Sequence, residues 1–525
     1  MSQIVNSDRW FWFSSGGALL TTCAVLALCS ATFVHGEGYT TRPIVESVGI
    51  LLVAGLIYVV SLARAIRNPP SLRFVLLVAI LARLLLLPST PIQEDDVYRY
   101  MWDGRVCAAG VNPYSFSPQE IEEARRSLEP RPAEDLAALD DLDRLSRRTA
   151  STQTIFSRIN NRRYATIYSP VVQAIFGSFG ISVPAGWPVA LQVLCMKLFL
   201  SVFDVATIFL LLKLLRDTGQ STGLVLAYGW CPLVLKEVSN SGHMDAIPVA
   251  FLVAALIFLF QRRGFFAGLL LGLAIGAKVY AVLLLPLFLC RLGRRSAALC
   301  IVGCLIVLGG AHVAAGDGAG RFRQTLLEFA LNWENHDAFF SWLQGAWRWI
   351  VASCGDFSVG FATFAFTHVG GVTTIRLGAL EAQSTLAYML ALATVAVILS
   401  TCAIWATRRV AEKSPAEVIR RVFIVLACLF LLGPLGFPWY FLWCVPFLPF
   451  AQLRSWRLLV VILPIYYLRF WFYYHHESGV GGFERGVDIF DYVVVNLEFG
   501  LFFAVAGAEL LWRRRQESIS GCAIT

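Results

Sequence analysis

The chain has 525 residues, of which 57% are hydrophobic and only 15% charged, with a formal net charge of +8. A soluble protein of this size has no use for so much apolar surface, and a basic excess carried mostly by Arg in short loops sets membrane topology rather than recognising nucleic acid. The composition therefore predicts an all-α polytopic membrane protein whose apolar runs, each about 15–25 residues long, make about 12–14 membrane segments.

In chain order, spans are predicted near 12–34, 46–66 and 72–88. The first is too long for a signal h-region and lacks a clear cleavage site, so it reads as a retained span. Arg64, Arg67 and Arg73 between the second and third place that link in the cytoplasm. An outer loop then runs over residues 89–187. Its middle, Pro118 to Arg148, has regular apolar spacing among charges and reads as one or two amphipathic interfacial helices. Spans resume near 188–212, 222–237 and 246–261. The segment 264–290 reads as a hairpin of two short helices meeting at Lys278, because a single span would invert every later basic cluster. Spans follow near 296–314, and a second outer loop covers 315–381, with an aromatic part, Phe339 to Phe366, expected to dip into the interface. The last spans are near 382–406, 418–433, 438–452, 456–472 and 488–512. The whole reads as one membrane domain: N-terminal helices 12–88, central helices 188–314, C-terminal helices 382–525, and both termini cytoplasmic. The 13 Cys are scattered, mostly inside apolar runs. Cys300 and Cys304 share a helix face as small hydrophobes.

One polar stretch stands out, Glu94-Asp95-Asp96-Val97-Tyr98-Arg99-Tyr100-Met101-Trp102-Asp103-Gly104-Arg105, directly after the third apolar run. Three adjacent carboxylates repel, so one is expected to hold a raised pKa and to accept protons. Flanked by Tyr98, Tyr100, Trp102 and then Tyr114, they read as a sugar site, where aromatic faces and carboxylates cooperate. Asp103 and Arg105 are placed to pair with each other. His243 and Asp245 lie at the junction of two helices, suited to a polar headgroup or a phosphate. Lys278 is a lone cation in an apolar hairpin, at the depth of a lipid phosphate. His336 and Arg376 are weaker candidates of that kind, and His475, His476 and Glu477 lie in a turn that can face the same cavity. Lys197 and Asp204, seven apart on one helix face, read as a mutually neutralising or structural set. No cofactor is called for. A divalent ion held by His243, Asp245 and the acids is the one metal candidate, and no spacing fixes its geometry. Walker, dinucleotide-binding and Gly-x-Ser-x-Gly patterns are absent, so a transferred group would come from a membrane-soluble donor.

Five stretches together resemble the GT-C superfamily of integral membrane glycosyltransferases, and within it polyprenyl-phosphate-mannose-dependent mannosyltransferases and the GPI mannosyltransferase. They are EDDVYRYMWDGRVCAAGVNPYSFSP (94–118), ATIYSPVVQAIF (165–176), WCPLVLKEVSNSGHMDAIP (230–248), GAKVYAVLLLP (276–286) and FPWYFLWCVPF (437–447). The resemblance implies sugar transfer, with mannose favoured, from a polyprenyl-phosphate donor to a lipid-linked or glycan acceptor on the non-cytosolic face. It implies a catalytic base at Asp95 or Asp96, with Glu94 the third candidate, and a donor phosphate held by Lys278, His243 and His336. Tyr98, Tyr100, Trp102, Tyr114 and Asp245 would bind sugar or acceptor. The chain departs from the family in one respect: the family's catalytic loop follows the first span, whereas here it follows the third. Two rivals are a transporter or lipid flippase, which would want deep intramembrane charges and internal symmetry, and a scaffold subunit without catalysis.

Overall fold

The computed structural model describes residues 2–126, 133–361, 363–451, 453–477 and 484–522. Helices dominate, as the apolar runs predict. Among the described residues seven helices are long and apolar enough to cross a membrane: Asp8–Ser30, Ile44–Arg67, Val189–Asp217, Arg294–Asn332, Leu386–Thr407, Trp456–His475 and Gly486–Gln516. This is fewer than the segments counted in the sequence, because some predicted spans form only short helices, such as Leu72–Leu86, Ala246–Phe260 and Gly264–Ala277, and others are broken. The runs near 222–237 and 438–452 do not form regular helices. The first breaks into short pieces from Thr222 to Asn240, and the second into two 3₁₀ turns, Pro438–Trp443 and Val445–Phe450. Pro232, Pro438, Pro446 and Pro449 remove backbone donors from these runs.

Broken backbone at membrane depth survives only where protein covers it. Residues 223–250 are buried throughout and form the spine of the bundle. Side chains from neighbouring helices satisfy the carbonyls that the breaks release. The Tyr58 hydroxyl donates to the Ala227 carbonyl at 2.7 Å and the Arg83 Nη1 to that of Gly229 at 2.8 Å. Arg83 also forms a two-pronged ion pair with Asp204, at 2.6 and 3.0 Å. Asp204 is thus engaged by Arg83 and Lys197 by backbone carbonyls, so of the two alternatives the structural one holds and the mutual neutralisation does not. Seven residues of helix carry the two side chains to different neighbours, and spacing alone did not reveal Arg83 on the facing helix.

The 264–290 segment has the expected hairpin form. Helix Gly264–Ala277 ends at Lys278, whose backbone is extended, and the chain continues through Val279–Leu284 into Leu285–Arg291. The Ser296 hydroxyl donates to the Arg262 carbonyl at 3.4 Å, so the two ends of the segment lie side by side. Helix 294–315 packs directly on this hairpin. A Cβ on Gly264 or Gly268 would lie 1.9 Å from the carbonyl oxygen of Ser296 or Cys300, so only glycine permits the approach.

One element was not expected. Residues 357–384 form a four-stranded antiparallel meander, β1 (Phe357–Phe361), β2 (Phe364–Val369), β3 (Val372–Leu377) and β4 (Leu380–Ser384), in the order β1-β2-β3-β4. Gly370 and Gly371, at φ +57° and +82°, make the two-residue turn between β2 and β3. The sheet docks on helix Ala319–Asn332, where the Gln324 side chain accepts a hydrogen bond from the Glu381 backbone at 3.2 Å. The charged stretch after Pro118 forms helices Pro118–Ala124, Ala133–Ser146 and Ala150–Ser157, and residues 127–132 of it lie outside the described residues.

Candidate active site

The acid loop hangs from the spine. Helix Leu72–Leu86 ends in a Pro-bounded turn, and Lys197 donates to the Ser89 carbonyl at 2.8 Å and the Leu86 carbonyl at 3.3 Å, satisfying acceptors that the helix end leaves free. Asn240 holds the loop from the other side. Its amide donates to the Ser89 hydroxyl and the Thr90 carbonyl at 2.7 and 2.8 Å and accepts from Ile92 N–H at 3.1 Å. Gln93 then takes a left-handed backbone (φ +58°), which turns the chain sharply into the three acids. Asp96 opens the helix Asp96–Ala108, where the positive end of the helix dipole favours a carboxylate.

That helix is pinned against helix Pro170–Ser182. A Cβ on Gly104 would stand 2.2 Å from the Phe176 carbonyl oxygen, so the two backbones touch. Asp103 is the buried hub of the contact. It accepts from Arg99 at 2.9 Å, Thr166 at 2.7 Å and Gln173 at 2.9 Å. Arg105 points elsewhere and donates to the Gly180 carbonyl and to Gln192, both at 2.9 Å. The expected Asp103–Arg105 pair therefore does not form, and both residues are structural.

The three acids face different surroundings. The Asp96 carboxylate accepts from Asn160 at 2.7 Å, with the Tyr100 and Tyr168 hydroxyls at 3.3 and 3.4 Å. Glu94 is buried, its side chain 9% exposed, with His243 Nε2 at 3.5 Å. Burial holds the Glu94 carboxyl well above the usual range, and Glu237, Asp96 and Asp95 add to the shift while Lys236 opposes it. Asp95 turns outward, half exposed, with His35 at 4.0 Å. Its carboxyl is also raised, chiefly by burial of the surrounding loop, with His35 opposing.

Asp96, Glu94, Asp245 and Lys278 line one polar cavity of about 270 Å³, together with Tyr100, Tyr168, Trp333, Trp439 and Tyr440. Lys278 donates to Asp245 at 2.7 Å, and the Trp443 indole N–H donates to the same oxygen at 2.8 Å. The ammonium sits 4.1 Å from the centre of the Tyr440 ring. A Lys has three donors, so after Asp245 takes one, two are left for a further anion. Beside this cavity lies a larger, mostly apolar groove of about 480 Å³, lined by Leu308, Leu326, Leu429 and others. Ile167, Tyr168, Lys278, Phe329 and Tyr440 line both spaces, so the apolar groove meets the polar cavity at Lys278.

The structure thus brings together Glu94, Asp96, Tyr100, Asp245 and Lys278. His243 stands behind Glu94 with its ring 4.2 Å from Trp439, and does not line the cavity. Asp95 and Tyr98 line a separate space. Trp102 packs on Phe156, and the Tyr114 hydroxyl donates to the Tyr168 carbonyl, so neither floors the cavity. His336 is buried between Glu498 Oε2 at 2.9 Å and the Gly436 carbonyl at 2.8 Å, far in role from a phosphate seat. Arg376 pairs with Glu381 across β3 and β4. His475 lies against the Trp471 carbonyl in its own helix. Among the described residues no group of three or more His, Cys, Asp or Glu is arranged to hold a metal. The sequence did not single out Asn160, Tyr168, Trp439 or Tyr440, although the last three lie in ATIYSPVVQAIF and FPWYFLWCVPF, where for Trp439 an aromatic directly after Pro438 was the available signal.

Comparison with known proteins adds to this geometry. Over 90 residues the chain is 33% identical to GPI mannosyltransferase 1 of Kluyveromyces lactis, a stretch covering 17% of this chain and 22% of that protein, so the chain spans about a fifth of that relative's length. No solved structure matches the chain. Residues 162–294 match the family model described as alpha-(1->6)-mannopyranosyltransferase, N-terminal domain. That segment contains Lys278, His243 and Asp245 but not the three acids, and over it the resemblance to mannosyltransferases read from the sequence is borne out.

Proposed function

We propose that this chain is a membrane mannosyltransferase that takes a mannosyl residue from a polyprenyl phosphate and places it on a hydroxyl acceptor. The observation that carries the reading is the junction of the apolar groove with the polar cavity at Lys278, opposite Asp96. A polyprenyl chain suits the groove, its phosphate suits the ammonium at the junction, and its sugar then reaches the aromatic and carboxylate walls.

In the step proposed, the acceptor oxygen attacks the anomeric carbon while the bond from that carbon to the phosphate oxygen breaks. The acceptor proton passes to Asp96. The electron pair leaves on the lipid phosphate, whose growing charge Lys278 stabilises. A single displacement without a protein nucleophile inverts the anomeric centre. Tyr168 and Trp439 line the wall that meets the sugar, the Tyr100 hydroxyl faces Asp96, and Asp245 fixes the position of Lys278. The Arg clusters at 408–421 and 513–515, and Arg294 with Arg295, support a site on the non-cytosolic face with both termini cytosolic.

Purified protein incubated with polyprenyl-phosphate mannose and an octyl hexopyranoside should release free polyprenyl phosphate in step with an acceptor heavier by one hexose. Movement of the intact lipid across proteoliposomes with no such product would replace this reading with the flippase.

A further inference from the structure

A second cavity, of about 460 Å³, lies on the other side of the acid loop. It is walled by the connection between the first two helices, by Gln93, Glu94 and Asp95, and by the helix Leu468–His475. The connection supplies His35, Tyr39 and Arg42. These residues lie between the first two of the three helices that precede the acid loop.

Three polar atoms in this wall are buried and have no partner: Gln93 Nε2, Arg42 Nε and Glu94 Oε1. Gln93 and Arg42 are each 8% exposed. The Gln93 amide is oriented by its neighbour, because Arg42 Nη1 donates to Gln93 Oε1 at 3.0 Å and so leaves the amide N–H groups unused. The left-handed backbone at Gln93 is uncommon for such a residue and is held in place by the surrounding loop. A buried polar group without a partner costs about 1–3 kcal/mol, and the lining residues Arg42, Gln93, Glu94 and Asp95 together offer a ligand both donors and acceptors. Ring faces are present too, with Tyr39 and Tyr474 at 4.9 Å and Arg42 4.2 Å above Tyr39. The charges are mixed, with Arg42 and His35 against Glu94 and Asp95. The groove aliphatics Leu308, Leu326 and Leu429 have no counterpart here. An uncharged polyhydroxylated ring fits this chemistry better than a phosphate or a hydrocarbon tail.

We propose that this cavity is the acceptor subsite and holds the terminal sugar of a neutral glycan. The inference rests on the mannosyl-transfer reading above. Glu94 lines both cavities, so the two spaces adjoin at that residue, and the acceptor hydroxyl has to pass it to reach Asp96, which lines the donor cavity. The N-terminal connection then determines which acceptor is used, while the groove and Lys278 determine the donor.

The test is a steady-state comparison with octyl hexopyranosides as acceptors. Gln93→Asn keeps a residue that tolerates the left-handed backbone, and Tyr474→Leu removes a ring at the cavity edge. Each should raise the acceptor KM by roughly tenfold, as expected for one lost hydrogen bond or ring contact, with the donor KM within about twofold of the parent. A rise in donor KM instead, or an unchanged acceptor KM in both variants, overturns the assignment. If the parent protein transfers no sugar, the enzyme reading falls. Calorimetric titration of octyl mannopyranoside into parent and Tyr474→Leu protein still decides the cavity: weaker binding in the variant supports a sugar site, and equal or absent binding removes it.

Discussion

Lys278→Met is expected to lower mannosyl transfer by about 10²–10³-fold, the usual loss when a preorganised group facing developing charge is removed. The loss should appear in release of the lipid phosphate. Lys278→Arg should retain more activity, because the charge remains while the point contact is replaced by a wider fork. One rival explanation is that Lys278 serves only to neutralise Asp245, to which it donates at 2.7 Å. The double variant Lys278→Met with Asp245→Asn separates the two. If the lysine stabilises the leaving phosphate, the double variant stays as impaired as the single one. If it recovers, the defect of the single variant was an unpaired buried carboxylate repelling the donor.

Asp96→Asn is expected to lower turnover by about 10²–10⁴-fold with little change in donor KM. The amide has nearly the carboxylate's shape, so the Asn160, Tyr100 and Tyr168 contacts can persist while the proton acceptor is lost. Asp95→Asn, on a half-exposed side chain that lines the second cavity, should change turnover only a few fold, well below that range. A larger loss in Asp95→Asn than in Asp96→Asn, measured as single-turnover release of polyprenyl phosphate, would move the base to the neighbouring residue and the reacting centre into the other cavity.

The apolar runs made the helical membrane architecture legible, and the basic clusters made the Lys278 hairpin legible, because charge in short loops constrains the number of crossings. Less was legible where a run is apolar but broken. Nothing in the hydropathy of 222–237 or 438–452 distinguishes a lipid-facing span from an irregular piece sealed inside the bundle. Only the prolines mark the difference. The meander was legible in principle, since Val369-Gly370-Gly371-Val372 between apolar-alternating stretches is a hairpin signal. The aromatic content of Phe339 to Phe366 drew attention to the interface instead.

At the site, the acids and Lys278 were found because an ionisable group beside a membrane run is costly and therefore conspicuous. The same reasoning overreached for His336. A histidine can be buried and satisfied by a carboxylate from a distant helix, here Glu498, and one-dimensional spacing carries no trace of that partner. The aromatic floor failed for a related reason. Tyr98 and Trp102, four apart, share one side of the helix while Tyr100 lies on the other, and only Tyr100 faces the cavity with Asp96. The remaining rings come from residues more than sixty positions away, brought in by the Gly104 contact and by the spine.

The most direct test of the account is a structure of the protein with a bound polyprenyl phosphate. The phosphate is expected within hydrogen-bonding distance of Lys278 Nζ and facing the cavity that holds Asp96, with the prenyl chain along Leu308, Leu326 and Leu429. A phosphate seated away from Lys278, or a prenyl chain outside that groove, would contradict it.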